Sequence, residues 1–440
     1  MVFKRLFDRG APADAGAQNA EAAAEDAADE SLAPEDDSEL PEEMEERSWA
    51  ERAAAVIPGG ASTGSKQSRS LYGTDHPAAP THFTQASGCH IVDADGQTYL
   101  DCTMALGAVA LGYSEPNVTR AALDAIGGGN VSGLSSTWEV VVAERLCGFI
   151  PCAEQVRFLK TGAEATSAAV RLARTYTARD VVIASGYFGW HDWASEGPGV
   201  PEGVTRDVIR VAFDDVPALE GAVRSAGDRL AAVILEPVVE RMPSDTWIAR
   251  ARELCTQKGA VLIFDEMKTG FRLAPAGYQE VSGVTPDLAT FGKAMSNGFP
   301  LAAVCGRKDI MDAARKTWIS STLAGEAGAL AAAYAVIQWH EQADVCEALA
   351  TAGAEMRRVV SAAIDASGIT GVTMLGLDPM WLLRFDDPAV ETAFLQGAAA
   401  HGVLFKRGAY NYASVAHDDE AIRDIESAAS RTLVEMIEGA

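Results

Sequence analysis

From Ser48 onward the chain alternates short apolar runs with longer stretches of helical period. Val156-Arg157-Phe158-Leu159-Lys160 reads as a strand, Ala163 to Thr177 as an alanine-rich helix, and Val181-Val182-Ile183-Ala184 as a strand again. Further apolar runs follow at Ala232 to Leu235, Ala260 to Phe264, Leu288 to Phe291 and Leu301 to Cys305, with a helical segment around Ile248 to Lys258. Apolar runs separated by helices predict a mostly parallel sheet covered on both faces, because strands buried on two sides lose the alternation of a half-exposed sheet. Residues 151–326 are therefore expected to form one large α/β domain. The flanks, 48–150 and 327–440, are expected to build a smaller α+β domain from both chain ends. Its strand signals include His90 to Asp93 and Thr98 to Asp101 around the turn Asp95-Gly96.

Composition changes this picture only at the start of the chain. At 440 residues, 48% hydrophobic and 7% aromatic, the length allows two or three domains at about 150 residues each. The formal charge is −26, yet the stretch Ala11 to Glu46 alone holds 14 Asp or Glu and no Lys or Arg. Residues 1–47 thus read as a disordered acidic tail, too poor in large apolar side chains to offset the entropy of ordering. Lys4, Arg5 and Arg9 are followed by no apolar core of a signal peptide, and no run approaches membrane-spanning length. Strong negative charge argues against a nucleic-acid partner, which needs clustered Lys or Arg. The seven cysteines are scattered without metal-ligand spacing, so no metal is expected and a reducing cytoplasm fits.

The candidate chemistry lies where strands end. Asp265 closes one apolar run, and Lys293 stands 28 residues later, just after another. An amine that condenses with an aldehyde, together with a carboxylate that keeps a pyridine nitrogen protonated, is what pyridoxal 5′-phosphate requires. Ligands of parallel sheets bind beyond the carboxyl ends of the strands. There Thr161-Gly162-Ala163-Glu164-Ala165 passes from strand to helix, so the Gly162 and Ala163 amides and the helix dipole suit a phosphate. Tyr187, just after a strand, is placed to stack on one face of a cofactor ring, and Met267 to pack on the other.

With these motifs in hand, the chain resembles the class III aminotransferases of pyridoxal-phosphate fold type I, and most of all their glutamate-1-semialdehyde 2,1-aminomutase branch. The likeness runs from about Val56-Ile57-Pro58-Gly59-Gly60 through Asp93 to Asp101 and on to about His417. The family's Ser-Gly-Thr-Glu-Ala turn appears as Thr161 to Ala165, its Tyr-His-Gly as Tyr187-Phe188-Gly189, and its Asp-Glu-Val-x-Thr-Gly-Phe-Arg as Asp265 to Arg272. The resemblance implies that Lys293 forms the Schiff base and then moves protons, that Asp265 pairs with the pyridinium nitrogen, and that Gly162 and Ala163 hold the phosphate. It also implies that Thr322, in Ser321-Thr322-Leu323-Ala324-Gly325, reaches the phosphate of a second subunit, hence a homodimer with shared active sites.

The departures bear on substrate. The branch pattern Gly-Gly-Val-Asn-Ser-Pro-Val-Arg is here Gly59-Gly60-Ala61-Ser62-Thr63-Gly64-Ser65-Lys66, so Lys66 stands where the resemblance implies a carboxylate-binding arginine. A point charge replaces a bidentate fork. Arg407 is a second candidate for that clamp. The histidine of Tyr-His-Gly becomes Phe188, and the Asn-Pro that ends the family's Gly-Thr-Leu-Ser-Gly-Asn-Pro segment becomes Glu326-Ala327. The expectation is an aminotransferase moving nitrogen between an amino acid or amine and a carbonyl acceptor. An intramolecular aminomutase is the alternative, and a racemase or epimerase using the same lysine is the next.

Overall fold

The computed structural model describes residues 47–75 and 77–438. The acidic stretch expected to be a tail lies almost wholly outside them. One short piece, helix α1 (Trp49–Val56), is capped by Ser48, whose hydroxyl accepts from the Glu51 amide while the Glu51 carboxylate reaches back.

Residues 61–438 carry three sheets. The first begins with β1 (Phe83–Ser87), β2 (His90–Asp93) and β3 (Thr98–Asp101), joined antiparallel around the Asp95-Gly96 turn. The second is the expected large sheet. It contains β4 (Gln155–Leu159), β5 (Val181–Ser185), β6 (Val208–Arg210), β7 (Leu230–Leu235), β8 (Val261–Asp265), β9 (Leu288–Phe291) and β10 (Ala302–Gly306), in the order β4-β10-β9-β8-β7-β5-β6. Neighbouring strands from β9 to β6 run parallel, and β10 alone is reversed against both its neighbours. The third sheet joins β11 (Val372–Leu377), β12 (Met380–Phe385) and β14 (Asn411–Tyr412), while β13 (Val403–Leu404) returns to pair parallel with β3.

Burial explains why the large sheet lacks alternation. Every residue of β5, β7, β8, β9 and β10 is buried. One face carries the small side chains of helix α2 (Gly162–Thr177), with Ala165, Ala168, Ala169 and Leu172 against Val182, Ile234 and Ile263. Alanine at the contact lets helix and sheet approach closely. Elsewhere Val142 and Leu146 of helix Thr137–Phe149, and Leu330 and Ala333 of helix Ala327–Gln342, pack with Phe291 and Ala303 of β9 and β10. A third cluster unites Ile183, Val233 and Phe264 with Trp381, Phe394 and Ile425 from the C-terminal third.

Two buried polar residues fasten the loops that follow the strands. The Arg272 guanidinium donates to the carbonyls of Pro379 (3.1 Å), Ala413 (2.9 Å) and Gly107 (3.2 Å), and lies 4.8 Å from the centre of the Tyr412 ring. The Asn297 carbonyl oxygen accepts from the Ala110 and Leu111 amides, and its amide donates to Gly112. These bonds replace water lost on burial. Asn297 sits four residues beyond Lys293, so this anchoring fixes the turn that carries the lysine.

Candidate active site

At the carboxyl ends of β7, β8 and β9, a cavity of about 420 Å³ is lined by Gly162, Ala163, Tyr187, Asp265, Met267 and Lys293, among others. Strand order causes this meeting. β8 delivers Asp265 as its last residue, and Lys293 follows the neighbouring β9 by two positions. Lys293 holds a left-handed backbone, φ 47°, uncommon for a residue with a side chain. Its Nζ lies 6.0 Å from the centre of the Tyr412 ring.

Asp265 is buried and held on one oxygen. Oδ1 accepts from the Met267 amide (3.0 Å) and from the Thr290 hydroxyl on β9 (3.0 Å). Oδ2 has no hydrogen bond among the described residues. Burial pushes the Asp265 carboxyl up to about 7; the nearby Glu236 carboxylate adds to this, while the Met267 amide, the Thr290 hydroxyl and the Lys293 charge oppose it. The carboxylate is thus aimed at the cavity and short of positive charge.

The opposite end of the cavity is the start of α2. Thr161 and Glu164 form a reciprocal capping box, satisfying the amides of Glu164, Thr161 and Lys160. The Ala165 amide already bonds to the Thr161 carbonyl. This leaves the first two helical amides, Gly162 and Ala163, open beside the cavity, where the helix dipole favours an anion. Space there is tightly shaped. A Cβ on Gly162 would lie 3.1 Å from Met267 Sδ, one on Gly292 2.7 Å from the same sulfur, and one on Gly189 2.4 Å from the Ala163 Cβ.

Several residues were missed by motif reading. Glu236, directly after β7, ion-pairs with buried Lys268 at 2.6 Å and accepts from the Tyr187 amide at 3.2 Å. Gly186, at φ 131°, leaves room for it, since a Cβ there would lie 2.4 Å from the Glu236 Cβ. The available signal was positional, for Glu236 ends the apolar run of β7 as Asp265 ends β8. Lys268 also donates to the Tyr410 hydroxyl at 3.2 Å and lies 4.3 Å from that ring's centre. Burial is the largest influence and works against the Lys268 charge, but Glu236, Tyr410 and Tyr412 together outweigh it and hold the ammonium above its ordinary value. Lys160 lines the cavity edge and pairs at 2.8 Å with Glu326, whose two oxygens also cap helix Ala327–Gln342 through the Gly328 and Ala329 amides. The replacement of Asn-Pro by Glu326-Ala327 therefore keeps a helix start and adds an ion pair.

Of the remaining candidates, Tyr187 and Met267 line this cavity, whereas Thr322, Lys66 and Arg407 lie outside it. Tyr187 is 74% exposed and half-buried Met267 faces the same cavity. Phe188 is core, stacked on Trp193 with ring centres 6.0 Å apart. His191 and Trp193 both bond to the Ser167 hydroxyl on α2 at 2.7 Å. Thr322 is exposed in a separate groove with Leu134, Val140 and Gly325. Lys66 is exposed and lines none of the cavities described here, whereas Arg407 lines an outer cavity beside the first. Among the described residues, no cluster of His, Cys, Asp or Glu suits a metal ion, and no helix is long and apolar enough to cross a membrane.

The sequence matches the family model Aminotransferase class-III over residues 72–189 and 203–417. A 3-aminobutyryl-CoA aminotransferase of Cloacimonas acidaminovorans is 30% identical over 88% of this chain and 96% of its own length. A glutamate-1-semialdehyde 2,1-aminomutase of Thermomicrobium roseum is 33% identical over 82% and 92%. Among solved structures, the FumI protein of Sphingopyxis sp. MTA144, in its PLP internal aldimine form, superposes with TM-score 0.84 at 28% identity, covering 89% of this chain and 96% of that one. The chain belongs to the class III aminotransferase family.

Proposed function

We propose that this class III aminotransferase holds pyridoxal 5′-phosphate in the cavity below Lys293 and moves an amino group between two different molecules. One observation carries the reading. A single cavity brings together an amine, Lys293, a carboxylate bonded only through Oδ1, Asp265, and two open helix amides, Gly162 and Ala163. These match the aldehyde, the pyridine nitrogen and the phosphate of the cofactor, in that order. Tyr187 and Met267 are the side chains available to its two ring faces.

When bound, the cofactor supplies an electron sink that makes the bond to hydrogen beside the substrate nitrogen acidic. Asp265 would keep the pyridine nitrogen protonated, and the Thr290 hydroxyl and Met267 amide hold that carboxylate in place. Lys293 would be the residue that holds the aldehyde, and its Nζ, when free, would be the base and acid that carries a proton from and back to the substrate. Glu236 fixes the Tyr187 backbone above the site.

Further parts of the proposal concern assembly and setting. The exposed groove holding Thr322, with Leu134 85% exposed beside it, supports a homodimer in which each chain completes the other's phosphate site. The division into a cofactor-holding body, 151–326, and a smaller body from 48–150 and 327–440 draws support from the pairing of β13 with β3, although helices Thr137–Phe149 and Ala327–Gln342 pack against β9 and β10 of the large sheet. Small-molecule amine and carbonyl partners, no nucleic acid, and a cytoplasmic setting complete it. Relatives named aminomutase keep the intramolecular reaction as the second reading.

The test is a panel of amines and amino acids added to the purified yellow protein, following conversion of the pyridoxal to the pyridoxamine spectrum. Borohydride reduction must fix the cofactor mass on the Lys293 peptide. Label on another lysine, or conversion of glutamate-1-semialdehyde to 5-aminolevulinate with no external acceptor, overturns the corresponding part.

A further inference from the structure

Residues 186–195, which carry Tyr187 to the cavity, lie in neither strand nor helix, so their place depends on side chains that reach them from other elements. Three of those bonds end on two adjacent residues of α2. The Thr166 hydroxyl donates to the Phe188 carbonyl at 2.7 Å. Ser167 Oγ lies 2.7 Å from both Trp193 Nε1 and His191 Nδ1. An indole N–H only donates, so it takes a lone pair of the Ser167 oxygen and leaves the hydroxyl hydrogen for His191 Nδ1. The Glu236 carboxylate holds the Tyr187 amide, and the Arg210 guanidinium donates to the Ala194 carbonyl. Where the family motif has histidine, Phe188 has no polar group to offer and lies in the core, stacked on Trp193. The polar anchors of this loop therefore come from further along it, and both meet Ser167.

We infer that Ser167 is a positioning residue for Tyr187: through Trp193 and His191 it fastens the loop to α2 and so sets the ring over the cavity. This rests on the reading of that cavity as the cofactor site. Ser167 does not line the cavity, and acts on it only through the loop. It stands four residues beyond Ala163, whose amide is open to an anion, so one helix carries both the phosphate end of the site and the anchor of its ring contact. The fit between loop and helix is close, for a Cβ on Gly189 would lie 2.4 Å from that of Ala163. Without the Ser167 hydroxyl the indole N–H and His191 Nδ1 lose their partner together, and the Phe188–Trp193 stack beside Tyr187 is held by packing alone.

The experiment measures pyridoxal 5′-phosphate affinity by equilibrium dialysis in Ser167→Ala, Tyr187→Ala and the double variant. Ser167→Ala removes two hydrogen bonds and should weaken binding about ten-fold. In the Tyr187→Ala background the same change should weaken it by less than about two-fold, because Ser167 acts through that ring. Ser167→Ala should also reduce the visible circular dichroism of the bound cofactor, and Ser167→Thr, which keeps a hydroxyl, should restore both signal and affinity. An unchanged affinity in Ser167→Ala overturns the inference, and so does an equal loss with and without Tyr187, which a merely structural role would give. Hydrogen exchange of the cofactor-free protein is an independent arm. Peptides covering 186–195 should exchange about ten-fold faster in Ser167→Ala while those of the buried strands β5 and β7 keep their rates. Equal loop exchange in the two proteins overturns the inference. If Ser167→Ala fails to fold, Trp193→Phe, which keeps a ring on Phe188 and lacks the indole N–H, takes its place in both arms with an effect of about three-fold or more. Should the unmodified protein bind no pyridoxal phosphate, the cofactor reading fails, while the exchange arm still decides whether Ser167 holds the loop.

Discussion

Replacing Asp265 by asparagine should stabilise the protein when it is prepared without cofactor. The carboxyl is buried and pushed up from 3.8 to about 7. A carboxyl raised in the fold contributes its stability below the unfolded value and loses it as pH climbs through the folded one. At pH 5 the unfolded side chain is ionised and the folded one neutral, so the loss accumulates mainly between pH 5 and 7. Two pH units at about 1.4 kcal/mol each give close to 3 kcal/mol. Asparagine keeps an acceptor for the Met267 amide and the Thr290 hydroxyl and has no charge to lose. Urea unfolding of both proteins at pH 5, 6, 7 and 8 measures the effect as a difference. Glu266, also buried and pushed up to about 7, changes stability with the same sign in both proteins and cancels. His340 and His417, pushed down to about 4 by burial, gain stability with rising pH and cancel too. The wild type should lose about 3 kcal/mol more than Asp265→Asn from pH 5 to 8, and added pyridoxal 5′-phosphate should reduce that gap. Parallel pH curves without cofactor would refute the reasoning.

Gly189→Ala should lower cofactor affinity at least ten-fold by equilibrium dialysis, because its Cβ would fall 2.4 Å from that of Ala163 and displace the start of α2. Sedimentation should show a dimer, and mixing Lys293→Ala with Thr322→Ala protein should restore activity above that of either alone, since one site of each mixed dimer carries neither lesion. Lys66→Arg should change the KM for amino acids less than two-fold, as Lys66 is exposed and outside the cavities described.

What was legible in the sequence is what the strand ends dictate. Asp265, Lys293 and the turn at Gly162 each follow an apolar run directly, and a parallel sheet sends all such positions to one edge. The pairing of Lys406 with the loop at Ser65 spans 341 positions and depends on β13 returning to β3. No local pattern reports such a contact. Lys66 was favoured because it stands where a family pattern places arginine, and Arg407 because a guanidinium suits a carboxylate. Sequence could not show that the Arg407 charge is met by Glu391. Glu326, similarly, reads as the loss of a motif until its two roles, cap and ion pair, are seen together.

The distribution of charge across the inner cavity singles out the same two residues by a separate route. Its wall holds three lysines, Lys160, Lys268 and Lys293, and two carboxylates, Glu236 and Asp265. Lys160 is taken by Glu326 and Lys268 by Glu236, both through nearly buried pairs below 3 Å. Such pairs lower the cost of charge in a site that water leaves on ligand binding. Asp265 and Lys293 remain, neither in an ion pair among the described residues. A cofactor presenting a cationic ring nitrogen and an aldehyde would satisfy one and consume the other. The fold thus neutralises every charge in this wall except the two that pyridoxal phosphate would complete.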